Sequence, residues 1–269
     1  MRRFLGIALL IVLSAGLALA QQPRYEREKL IEDFQIARQA LEEGHSGIYR
    51  YTKKDELDRR FDQAAKSLDR PMDAFEFYRV LAPVVAAIKC GHTSVSLPDA
   101  VRQEINNTMP LLPLQVRVLD KRIYVLRDFS SADHKLAGRE ILSINGLPAS
   151  KIVASMLAAA PGDGDVVTSR QLRISGWSFN GLLAGLIGAR SPYDLTVTGA
   201  TAGRKENVRL EGIELPKLRE ASKAQYPQDQ PPQRAGELSF LDDNKIAVIK
   251  INGFGGYVDA EKKKGLREF

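Results

Sequence analysis

The sequence predicts a multidomain α+β protein, and three observations carry that prediction. Apolar residues recur at helical spacing through residues 24–91. From Leu111 the apolar period changes from 3.6 to 2. Beyond a stretch rich in Pro and Gln, a compact apolar strand, KIAVIKI, runs from residue 245 to 251.

The helical region should hold three short helices. Leu30, Phe34, Ala37 and Leu41 form one apolar stripe, closed by Gly44, since a helix end favours glycine in the left-handed region. Leu57, Phe61, Ala64 and Leu68 form the second, with Thr52 as the expected cap and Pro71 beyond its end. The third opens at Asp73 with Glu76 three residues on, a capping-box spacing. Its stripe is Phe77, Leu81, Val84 and Ile88, and Pro83 inside it predicts a kink. Lys89 in the last turn and Gly91 just beyond suit a helix C-terminus.

The period-2 region reads as a small α+β domain. Leu114, Val116 and Val118 alternate with polar residues, Asp120 and Lys121 turn the chain, and Ile123 and Val125 alternate back. A loop through 130–138 leads to a strand at 140–144 closed by Asn145 and Gly146. Ser150 is the expected cap of a helix bearing Ile152, Val153, Met156 and Leu157, and a further helix is expected near 177–187. A last hairpin pairs Leu195 and Val197 with Val208 and Leu210.

Residues 213–236 read as a linker, with Pro216, Pro227, Pro231 and Pro232 among Gln and charged residues. Apolar side chains on both faces of the following strand predict a central, parallel, doubly buried position. The segment after the linker is shorter than the ~40 residues a domain needs to stand alone. The expectation is a third domain that begins here, with the chain stopping inside it. The alternative is that the strand adds to the preceding sheet.

Composition narrows the function classes. Hydrophobic residues make up 44% and charged residues 27%, which excludes a disordered tail, a collagenous rod and a multi-span membrane protein. The formal charge of +6 falls to +4 without Arg2 and Arg3. The basic residues are dispersed without aromatic interleaving, so no nucleic-acid partner is expected. One cysteine, Cys90, excludes an intrachain disulfide and a cysteine-clustered zinc site. The three histidines have no ligand spacing, so no metal or other cofactor is expected.

Residues 1–20 read as a signal peptide: two arginines, an apolar run from Phe4, and Ala18-Leu19-Ala20 before a cleavage point after Ala20. An uncleaved anchor is the alternative. The mature chain is expected to be exported, periplasmic or extracellular, with no stable membrane span after cleavage.

Four pieces occur in an ordered series: HSGIYRY (45–51), AAIKCGHTSVSLP (86–98), GREILSINGLP (138–148) and IAVIKINGFGGY (246–257). Together they resemble the tail-specific, C-terminal-processing serine peptidases, in the tricorn-like branch. The resemblance implies an N-terminal helical domain at 21–98, a PDZ-like domain at 110–212 and the beginning of an α/β serine-peptidase domain at 237–269. It implies an exported endopeptidase that hydrolyses unstructured or C-terminal segments of a peptide or protein substrate. The general base of that branch matches His92, in Cys90-Gly91-His92-Thr93. An imidazole with an ordinary pKa of ~6.5 suits proton removal from a serine hydroxyl near neutral pH. The competing reading of His92 is a helix-capping histidine. The nucleophilic serine and the oxyanion donors of the family map beyond Phe269.

The other candidates are read as structural. His45 precedes a turn and the aromatic pair Tyr49 and Tyr51, and His134 lies in a polar loop. Cys90 lies two residues from His92, too near in sequence to align well for proton transfer. The negative end of a helix should leave its thiol unactivated. The PDZ-like match departs from its family at Gly138-Arg139-Glu140-Ile141 and at Leu111-Leu112-Pro113-Leu114, where Pro113 removes a donor. The rival function is a non-catalytic peptide-binding or scaffold protein, in which the PDZ-like domain adds an extended peptide to its sheet.

Overall fold

A computed structural model describes residues 23–130, 135–199, 201, 203–227, 236–243 and 245–251. The expected signal peptide and His134 lie outside the described residues. The chain divides into two units, residues 1–215 and 216–269.

The first unit opens with three helices: α1 (Arg27–Gly44), α2 (Lys54–Lys66) and α3 (Ala74–Ala86). Their apolar stripes meet in a core of Leu30, Phe34, Leu57, Phe61, Leu68, Leu81, Val84 and Ile88. Phe34 and Phe61 meet edge to face, with centroids 5.9 Å apart. The capping box at α3 forms: the Asp73 carboxylate accepts from the Glu76 N–H at 2.8 Å, and the Glu76 carboxylate accepts from the Asp73 N–H at 3.0 Å. Asp73→Ala should therefore lower stability by about 1 kcal/mol in chemical denaturation.

Two expected caps differ. Lys53 stands at the N-cap of α2, and the Thr52 hydroxyl donates to the Ala87 carbonyl at 2.6 Å, tying the α2 entry to the end of α3. Ser150 lies inside its helix, with Pro148 at the N-cap. At Thr52 the local cap geometry lost to a tertiary hydrogen bond, whereas Ser150 stands one residue inside the helix, which begins at Ala149. At the end of α3 it is Lys89, not Gly91, that adopts the left-handed conformation (φ 58°) and reverses the chain.

A fourth helix, α4 (Asp99–Asn107), leads into β1 (Pro110–Leu111). Then follow β2 (Leu114–Leu119), β3 (Arg122–Asp128), β4 (Glu140–Ile144), β5 (Leu147–Pro148), α5 (Ala149–Ala159), α6 (Val167–Arg173) and α7 (Trp177–Leu182). A π-helical turn, Leu183–Ile187, continues α7. The sheet is completed by β6 (Tyr193–Thr198) and β7 (Lys205–Leu210), and β8 (Ile213–Glu214) returns to pair with β1. The antiparallel order is β2-β3-β4-β6-β7, with β5 on β4.

Both tight turns of this sheet use paired positive φ angles, Asp120 with Lys121 and Asn145 with Gly146, which match the twist of a hairpin. Val116, Val118, Ile123, Val125, Ile141, Ile144, Leu195 and Val197 face α5 and α7, burying Ile152, Val153, Met156 and Phe179. Inside this core the Asn180 side-chain amide donates to the carbonyls of Leu112 and Leu114.

The outer edge of β2 is used by the chain itself. The Gly176 N–H donates to the Val116 carbonyl at 2.8 Å, and the Val118 N–H donates to Ser175 Oγ at 3.0 Å.

The stretch expected to be a linker carries β8 and a helix, α8 (Leu215–Gln225). In the second unit β9 (Gly236–Leu241) and β10 (Ile246–Ile251) form an antiparallel hairpin. This corrects the expected central parallel strand. An apolar run of six residues specifies a strand but not its partners. Its side chains are exposed on both faces, with Phe240 at 53% and Ile249 at 66%. No described helix is long and apolar enough to cross a membrane.

Candidate functional site

The end of α3 delivers a short loop, residues 88–93, to the surface. Ile88 is fully buried and fixes the root of the loop, while Lys89 turns it. The loop docks on the segment between α5 and α6. The Gly91 N–H donates to Asp163 Oδ1 at 2.7 Å, and the Gly164 N–H donates to the Lys89 carbonyl at 2.9 Å. Lys89 Nζ pairs with Asp165 at 2.6 Å, and Arg173 donates to the Gly91 carbonyl at 3.3 Å.

This docking explains the glycine at position 91. A Cβ there would meet Asp163 Oδ2 at 2.9 Å. The residue serves close approach of a carboxylate, where the sequence suggested helix termination.

His92 is exposed, and among the described residues its ring makes no hydrogen bond. It does not cap α3 with its ring. Folding brings the ligand atoms of His92, Cys90 and Asp163 within 4.8 Å of one another. Asp163 was not singled out by sequence reasoning, because it lies 72 residues from Gly91 and only the docked loops unite them.

Cys90 is half-buried behind His92, beside a second histidine. His45 Nε2 lies 2.9 Å from Thr93 Oγ1, and the Gly47 N–H donates to His45 Nδ1 at 3.1 Å. Since Nδ1 accepts, the neutral ring carries its hydrogen on Nε2 and donates to Thr93. That tautomer makes His45 a donor toward the hydroxyl, so Thr93 is not activated as a nucleophile. Among the described residues, no serine hydroxyl is hydrogen-bonded to a histidine ring.

The Cys90 thiol is pulled down to about 7, first by the Thr93 hydroxyl, then by the His92 backbone N–H and by His45. This corrects the expectation of an unactivated thiol. The sulfur stands among hydrogen-bond donors that favour the thiolate, and these outweigh the expected effect of the helix end. The folded value lies below the unfolded one. The linked stabilisation is therefore present above the unfolded pKa, near 9.0, and is lost as pH falls through about 7. Alkylation of Cys90 in chelator-treated protein should follow a midpoint of about 7. Thr93→Val should raise it, whereas a wild-type midpoint at the ordinary ~8.5 would contradict the geometry.

No protein-family model matches this sequence, and no curated protein matches it. Among solved structures, the chain has weak structural similarity to CPAF. A crystal structure of mature CPAF is 16% identical over 77% of this chain, with a TM-score of 0.43. Mature CPAF complexed with lactacystin is 15% identical over 77% of this chain, with a TM-score of 0.45. A CPAF mutant is 13% identical over 78%, with a TM-score of 0.46. The chain spans 38%, 39% and 41% of those three chains.

Proposed function

We propose that this chain is the N-terminal portion of an exported serine-type endopeptidase of the tail-specific kind, in the tricorn-like branch, with His92 as its general base. The observation that carries the reading is the state of His92 itself: an exposed imidazole with an unengaged ring, on a loop pinned at several points, beside a carboxylate. A general base must have a free lone pair and a fixed position before its substrate arrives.

In the proposed reaction a serine hydroxyl attacks the scissile carbonyl as His92 removes its proton. His92 then delivers that proton to the leaving amine, and water releases the acyl group by the same steps. The serine belongs to sequence beyond residues 1–269. The exposed apolar faces of β9 and β10 support this, because such a hairpin suits the start of a larger α/β domain. Residues 110–212, an antiparallel sheet packed on α5, fill the place of the PDZ-like domain, and residues 1–20 fill that of the signal peptide.

The rival reading, a peptide-binding scaffold, loses one route. A peptide adding to β2 would have to displace Ser175 and Gly176 from its outer edge. Peptides with free C-termini are therefore expected to bind residues 21–269 weakly, which fluorescence anisotropy would measure.

A fluorophosphonate probe tests the proposal. It should label the protein encoded by the complete gene, leave residues 21–269 unlabelled, and fail on the His92→Gln variant. Labelling that survives His92→Gln would overturn the assignment of the base.

A further inference from the structure

Sequence spacing offers no metal motif, yet the fold collects three different donor types at one surface point. From that juxtaposition we infer that Cys90, His92 and Asp163 form a binding site for a divalent cation of the zinc class, with a fourth position left to water. Cys90, His92 and Asp163 would hold the ion whether or not the chain belongs to a peptidase.

The distances allow it. Tetrahedral zinc with bonds of 2.0–2.3 Å places its ligand atoms about 3.3–3.8 Å apart. The three ligand atoms already lie within 4.8 Å of one another. Closing the remaining gap of about 1 Å needs only side-chain rotation between staggered wells. His92, exposed and with no hydrogen bond to its ring among the described residues, is free to make that rotation while Asp163 stays held by the Gly91 N–H.

The surroundings orient the donors. The Gly91 N–H holds Asp163 Oδ1 at 2.7 Å and leaves Oδ2 for a cation. Such a bond to the second carboxylate oxygen is the kind of support that fixes a ligand's direction. Both loops are locked together by the Gly164–Lys89 backbone bond. The neighbouring cation Lys89 is already paired with Asp165. The Arg173 guanidinium donates to the Gly91 carbonyl. A thiolate and a carboxylate together supply two negative charges, which balance a divalent ion.

The donor set selects the metal. Sulfur and imidazole nitrogen favour zinc over magnesium or calcium, which require oxygen ligands. A cation on one ring nitrogen of His92 leaves a hydrogen on the other, so the bound ring has no lone pair to offer as a base. Zinc would then act as a reversible block on His92.

Zinc titration of the purified full-length chain against a chromophoric chelator tests the site, with magnesium in large excess. The expected result is one zinc per chain, undisturbed by magnesium. Cys90→Ser, His92→Ala and Asp163→Asn should each weaken binding by at least the roughly 10–100-fold that loss of a merely orienting group costs. Their metal-free circular-dichroism spectra should match the parent's. Cobalt added to the unmutated protein should produce a thiolate-to-metal charge-transfer band, a readout independent of any variant's folding. Absence of that band, equal competition by magnesium, or affinity unchanged in Cys90→Ser and Asp163→Asn would each overturn the inference.

Discussion

Replacing His92 with alanine is expected to slow hydrolysis of an unfolded polypeptide by the complete gene product about 10⁶-fold, the scale of loss when the base of a catalytic triad is removed. The reason is chemical. A serine hydroxyl is a poor nucleophile until its proton has somewhere to go, and the proposed mechanism gives that proton to this ring. The ring is exposed and without a hydrogen-bond partner among the described residues, so its removal should disturb little else. Stability should change by no more than about 0.5 kcal/mol, the usual range for such a surface position. The measurement is kcat/KM on a denatured protein substrate, paired with a melting curve in the presence of a chelator. A loss below about tenfold would mean that another group takes the proton.

Phe61→Ala is expected to be the most destabilising single substitution in the helical core. Phe61 is 0% exposed, meets Phe34 edge to face and carries the Arg38 guanidinium over its ring at 5.2 Å. Truncation removes the transfer free energy of the ring and leaves a cavity between helices that cannot fully collapse, a loss of about 3–5 kcal/mol. For a unit of this size the melting temperature should fall by roughly 6–20 °C. The effect reaches the site, because Thr52, at the entry to α2, is bonded to the Ala87 carbonyl at the end of α3. Cys90 alkylation should therefore lose its low midpoint in this variant before global unfolding. A shift in stability below about 1 kcal/mol would show that this core repacks around the gap.

The parts of the fold that were legible in the sequence are those whose signals are local. The capping box at Asp73 and Glu76 and the turn at Asp120 and Lys121 follow from residues within three positions of one another, and the β6–β7 pairing from alternating strands adjacent in the chain. Helices α4 and α6 escaped because they are short and begin without a side-chain cap, at Pro98 and Val166. Thr52 and Ser150 misled because a hydroxyl near a helix start has more than one use, and Thr52 spends its own on a carbonyl 35 residues away. The strand at Ile246–Ile251 was legible as a strand, but its antiparallel partner was not, since both faces carry apolar side chains.

The same division holds at the candidate site. His92 and Cys90 are both legible in one short motif. What the motif could not show is the set of donors, Thr93, the His92 N–H and His45, that surrounds the thiol. Nor could it show Asp163, which joins only when Gly91 lets the two loops touch. Gly91 looked like punctuation after a helix and proves to be a point of contact.

The proposed function has His92 accept a proton from a nucleophile that residues 21–269 do not supply. The most direct measurement compares turnover of one unfolded polypeptide by that fragment and by the protein encoded by the complete gene, both free of metal. The account predicts turnover by the longer protein and none by the fragment. Hydrolysis by residues 21–269 alone would contradict it.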